Sequence, residues 1–118
     1  MVDANHAYNV PTAVTLAKKM EQFDISWFEE PVIPEDIDGY RRVKSQTSIP
    51  IAGGECSFMR YGFRDMFAGR NQRRHSHIHF TISGSQGPCV DIAQPDIAAS
   101  GGLSEFMKIA TLGKEMSP

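Results

Sequence analysis

The chain has 118 residues, 41% hydrophobic and 22% charged, with 12 basic and 14 acidic side chains for a net charge of −2. This is the composition and size of one ordinary globular domain, and it excludes a complete eight-fold barrel enzyme, which needs roughly 250 residues. No run approaches the roughly 18 apolar residues of a membrane span, no basic-then-apolar leader opens the chain, and the near-neutral balance speaks against nucleic-acid or membrane-surface partners. Two cysteines, Cys56 and Cys89, are too few for a disulfide scaffold and suit a reducing cytoplasm.

In chain order, strand-like runs alternate with helix-like ones. Met1-Val2-Asp3 is a short apolar run closed by a carboxylate. Asn9 then reads as an N-cap with Pro11 in the first turn, and Ala13, Leu16, Ala17, Met20 and Phe23 recur at helical spacing. Ile25 to Glu29 is a second apolar run ending in an acid, followed by a helical pattern through Ile37, Tyr40 and Val43. Ile49 to Glu55 repeats the theme, with Phe63, Met66 and Phe67 behind it. Val90 to Asp96 is the fourth run, and Leu103, Phe106, Met107 and Ala110 follow a Ser100-Gly101-Gly102 opening. Short buried strands alternating with helices imply an α/β fold with a parallel sheet and right-handed crossovers.

The spacing of the acids carries chemistry. Asp3 to Glu29 is 26 positions, and Glu29 to Glu55 is again 26, about the length of one strand, one helix and two loops. Each acid is therefore expected at the carboxyl end of its strand, on the rim where active sites of parallel sheets and barrels gather. Three carboxylates brought together there repel unless a cation neutralises them, and three hard oxygens suit an ion of the Mg²⁺ type. The competing interpretation is that these are ordinary solvated acids at strand ends. The fourth interval, Glu55 to Asp96, is 41 positions, and its excess lies in Asn71–Pro88. That block has no acid, carries Arg73 and Arg74 and holds three of the four histidines, so it reads as a loop insertion. His75, His77 and His79 alternate, which in an extended segment would put them on one face for a transition metal; a solvated basic loop is the simpler reading.

Four segments, VDAN (2–5), WFEEP (27–31), IAGGE (51–55) and DIAQPD with the following GG (91–96, 101–102), closely resemble the enolase superfamily. The likeness is to the C-terminal barrel domain of its mandelate racemase and muconate-lactonizing branch, and DANHAY, RYGF and GGLSEFMKIATL look most like galactarolactone-cycloisomerase or sugar-acid dehydratase members. The resemblance implies a partial TIM-type (β/α) barrel over residues 1–118, about four consecutive βα units, with the block at 71–88 atypical. It implies Asp3, Glu29 and Glu55 as Mg²⁺ ligands, and a sugar-acid substrate whose carboxylate meets the ion and whose α-proton is removed. Asp96 matches the aspartate that orients a catalytic histidine on the next strand, while Asn5 and His6 lie where side chains face metal or substrate. Glu30 would be a supporting acid, and Trp27 and Phe28 core or wall.

The departures from the family bear on completeness. Muconate-lactonizing members carry a lysine three residues beyond the position of Asp96, where this chain has Ala99. The histidine partner of Asp96, the Lys motif of an earlier strand and the capping domain have no match in the sequence. The expectation is therefore a slice of a Mg²⁺-dependent dehydratase, racemase or cycloisomerase, incomplete for catalysis alone because no general base is intact. The alternative is a non-catalytic metal-binding or remnant fragment of a truncated gene. A free-standing phospho-receiver also gathers acids around Mg²⁺, but it places an acidic pair, a phospho-accepting Asp and a Lys on different strands, which WFEEP and GGE do not match. Unpaired sheet edges in a partial barrel invite self-association.

Overall fold

The computed structural model describes residues 1–69 and 87–116. Strands β1 (Val2–Asp3), β2 (Phe28–Glu29), β3 (Ile51–Gly53) and β4 (Ile92–Ala93) alternate with helices α1 (Val10–Met20), α2 (Ile37–Lys44), α3 (Met59–Ala68) and α4 (Leu103–Met116). The strands form one parallel sheet in the order β1-β2-β3-β4, each strand beside its neighbour in sequence. That is the order of successive βα units in a barrel, and among the described residues the expected α/β class and about four units are found. The strands are shorter than the apolar runs suggest. Val2, Phe28 and Ile51 share one register row. Phe28 and Ile51 sit in the core with Ala13 and Ala17 of α1, Tyr40 and Val43 of α2, and Phe63 and Met66 of α3. Side chains alternate across a strand, so the next row, Asp3, Glu29 and Ala52, belongs to the opposite face.

Local chemistry explains the helix boundaries. Asn9 caps α1 by accepting from the Thr12 amide at 3.0 Å, with a proline in the first turn. Asp36 caps α2 the same way through the Gly39 amide at 2.9 Å. After α1 a 3₁₀ turn, Glu21–Phe23, ends at Asp24 in a left-handed conformation. This turn rotates Phe23 out of the helical stripe predicted for it, leaving it 66% exposed. α4 differs likewise. Its buried residue is Ile109, with Leu112 packed behind it, whereas Leu103 is 65% and Met107 58% exposed. α4 lies against α3, where the Phe67 ring passes close to Gly113, and the Leu103–Met107 side of the helix faces away from that contact.

The expectation of equal acid register also changes. Asp3 pairs with Glu29, but the partner of Glu29 on β3 is Ala52, so Glu55 lies three positions beyond the row. The cause is the shorter second unit: α2 has 8 residues, against 11 in α1 plus its 3-residue 3₁₀ turn. The 26-residue sequence interval is completed in the loop after β3 rather than in the strand.

The entry to β4 is pinned to β3 and α2. Asp91 accepts from the Ile51 amide at 2.9 Å and pairs with Lys44 at 2.9 Å, while Lys44 also donates to the carbonyls of Pro88 and Val90. A Cβ on Gly69 would lie 2.5 Å from the Gly87 carbonyl oxygen, so the chain leaves α3 and returns toward β4 at one place. His75, His77 and His79, and with them the reading of those residues as metal ligands, lie outside the described residues.

Candidate metal centre

The carboxyl ends of β1, β2 and β3 open into three loops that carry most of the expected site. Backbone bonds hold the loops together: the Ala4 amide donates to Glu29, the His6 amide to Glu30 and the Glu30 amide to Ala52, at 2.9–3.0 Å. This places the first two loops side by side just above the sheet. Asn5, His6 and Glu30 adopt left-handed backbone conformations with φ of 44°, 63° and 44°, unusual for residues with side chains. Gly54 has φ +122°, and a Cβ there would lie 2.8 Å from the Phe63 ring. Glycine is needed at that point for β3 to pass over the core and deliver Glu55 and Cys56 to the rim.

Each expected site residue has a definite setting. Asp3 is exposed, and its Oδ1 accepts from the Asn5 amide at 2.9 Å. Glu29 is buried, with Oε2 accepting from the indole Nε1 of Trp27 at 3.0 Å. Glu55 is exposed in the turn after β3. Asn5 is exposed beside Asp3, and His6 is half-buried. Asp96, beyond β4, accepts from the Ala99 amide at 2.8 Å and so caps the turn that leads into α4. The Asp3–Glu29–Glu55 set lies at one rim and offers hard oxygen donors, a chemistry that fits Mg²⁺. Its three carboxylates do not, however, draw together into one tight cluster.

The group that does close is a different one. Among the described residues, His6, Glu30 and Cys56 form a set of three metal-capable side chains whose donor atoms all lie within 4.8 Å of one another. Nε2 of His6 is 2.6 Å from Oε2 of Glu30 and 3.9 Å from Sγ of Cys56. Burial pushes the Glu30 carboxyl above its ordinary range; His6 opposes this, and the charges of Glu55 and Asp3 add to it. Burial also raises the Cys56 thiol, and Glu30 and Glu55 reinforce the shift. Sequence reasoning gave Glu30 a supporting role and passed over Cys56. Its position just after Glu55, in the third of three adjacent rim loops, was the available signal.

With this geometry in view, residues 1–72 match the family described as Enolase C-terminal domain-like. The chain is 44% identical over 95% of its length to D-galactarolactone cycloisomerase of Agrobacterium fabrum, covering 25% of that protein. The chain belongs to the enolase C-terminal-domain-like family. Among solved structures, this family member superposes with TM-score 0.82 and 51% identity on the 3,6-anhydro-D-galactonate cycloisomerase of Zobellia galactanivorans, covering 98% of this chain and 28% of that one. It superposes with TM-score 0.80 and 29% identity on L-talarate dehydratase of Polaromonas sp. JS666 complexed with Mg and L-glucarate, again over 98% and 28% of the two chains. The enolase-like chain thus spans about a quarter of the length of the relatives it matches.

Proposed function

We propose that this chain carries the metal-binding rim of a Mg²⁺-dependent lyase or isomerase acting on a sugar acid. The observation that carries the proposal is the placement of Asp3 and Glu29 as register partners at the carboxyl ends of adjacent parallel strands, with Glu55 on the next loop. The likeness to a galactarolactone cycloisomerase, and to a dehydratase complexed with Mg and L-glucarate, supports both the ion and the substrate class. Asp3, Glu29 and Glu55 would hold the ion, which when bound supplies positive charge to a substrate carboxylate and acidifies the α-proton. The chain's own contribution is positional. Trp27 fixes the Glu29 carboxylate, and the Asn5 amide fixes that of Asp3. Asn5 and His6, on the loop after β1, would face the substrate, and Asp96 would position a histidine. Residues 71–88 would be an insertion between the third and fourth units, a reading supported by the abutment of Gly69 and Gly87.

A second reading, metal binding without turnover by this chain alone, is favoured by two observations. The described histidine, His6, lies against Glu30, and the Asp96 carboxylate accepts from the Ala99 amide. The two readings combine into one expectation: Mg²⁺-dependent binding of a sugar acid without loss of its α-proton. Proton NMR of L-glucarate in D₂O with the chain and Mg²⁺ tests it. Line broadening that disappears on chelation, with the α-proton signal retained, is the expected result. Broadening independent of Mg²⁺ would overturn the metal role, and exchange or dehydration would overturn the incompleteness.

A further inference from the structure

The contact between His6 and Glu30 is unusual for a hydrogen bond. The atoms are 2.6 Å apart, yet Oε2 of Glu30 has no hydrogen-bond partner of acceptable geometry, although the side chain is only 1% exposed. A carboxylate so deeply buried with one imidazole beside it still carries a desolvation cost, which a proton or a cation relieves. The third donor, Sγ, belongs to Cys56, an exposed residue, so the group is reachable from solvent. Donors bound tetrahedrally to one zinc ion at about 2.0–2.3 Å stand roughly 3.3–3.6 Å apart. The observed separations of 2.6 and 3.9 Å bracket that range, so small side-chain rotations would admit an ion.

We propose that His6, Glu30 and Cys56 form a site for a transition-metal dication of the Zn²⁺ or Co²⁺ kind, separate from the three-carboxylate set. One imidazole nitrogen, one carboxylate oxygen and one thiolate sulfur are the donors zinc prefers and magnesium avoids. Three successive rim loops each supply one donor, and the His6 amide already binds the Glu30 carbonyl at 2.9 Å, which fixes two of the three backbones relative to one another. Three protein ligands leave a fourth position for water or a small anion. Binding releases the thiol proton of Cys56 to solvent and leaves the oxidation state of every group unchanged.

Titration of the reduced chain with Co²⁺, followed by absorption, tests this directly. The expected result is a sulfur-to-cobalt charge-transfer band at one equivalent, abolished by stoichiometric Zn²⁺ and indifferent to excess Mg²⁺. Cys56→Ser should remove the band, and His6→Gln should weaken Co²⁺ binding by about ten-fold or more, since even outer-shell partners of a metal cost that much when lost. Cys89→Ala and Asp3→Asn should leave the band in place, with circular dichroism confirming the fold of each variant. The Asp3 variant keeps this outcome distinct from the fate of the Mg²⁺ reading. Absence of the band in the native chain, its survival in Cys56→Ser, its loss in Asp3→Asn or its displacement by Mg²⁺ would each overturn the proposal.

Discussion

The two cysteines illustrate how far residue chemistry depends on place. Cys89 is fully buried in the core, its amide donating to the Met66 carbonyl of α3, and burial pushes its thiol up to about 12, while Cys56 stands exposed on the rim. Only the thiolate reacts with disulfide reagents. A native-state thiol assay should therefore find one accessible group, Cys56, and a second only after unfolding; two fast thiols would contradict the placement of Cys89. The strand-end placement of Asp3 and Glu29 was legible from the sequence because each carboxylate closes a short apolar run. The His6–Glu30–Cys56 group was not, because it depends on left-handed backbone at His6 and Glu30 that no residue type there announces. Asp96 shows the opposite limit, since its place after a strand was readable but its engagement with the Ala99 amide was not.

At the scale of elements, the units are held in sequence by polar ties as well as by the core. Glu21, on the 3₁₀ turn after α1, accepts from the Ser48 amide at 2.7 Å and from the hydroxyls of Thr47 and Ser48 at 2.9 and 3.1 Å. These bonds, the Ser48 amide first, hold its carboxyl below its ordinary value. A carboxyl depressed in the folded state stabilises the fold above its unfolded pKa, near 4.3, and that contribution is lost as pH falls through the folded value. Glu21→Gln should thus lower the Tm slightly at pH 7 and flatten its decline as pH falls below the unfolded carboxyl range. An unchanged acid limb would show that the tie contributes nothing. Helical periodicity revealed α2 and α3 fully, with Ile37, Tyr40, Val43, Phe63, Met66 and Phe67 all buried. It misjudged α4 because an apolar stripe specifies a face and not the neighbour that covers it.

At the scale of the molecule, the described residues form a layer of helices on one face of a four-stranded parallel sheet. Among the described residues β1 and β4 are the edge strands, and Ile92 on β4 is partly exposed at 37%. Parallel sheets are ordinarily covered on both faces, and open edges recruit partners. Sedimentation over a wide concentration range should show self-association; a monomer throughout would mean that these edges are adequately shielded. The absence of a helix long and apolar enough to cross a membrane holds for the described residues. The central claim is the proposal that Asp3, Glu29 and Glu55 together hold one Mg²⁺ ion at the rim. Calorimetric titration of Mg²⁺ into the chain and into its Asp3→Asn, Glu29→Gln, Glu55→Gln triple variant measures this most directly. The account predicts saturable binding by the native chain and none by the variant, whereas equal affinity in both would contradict it.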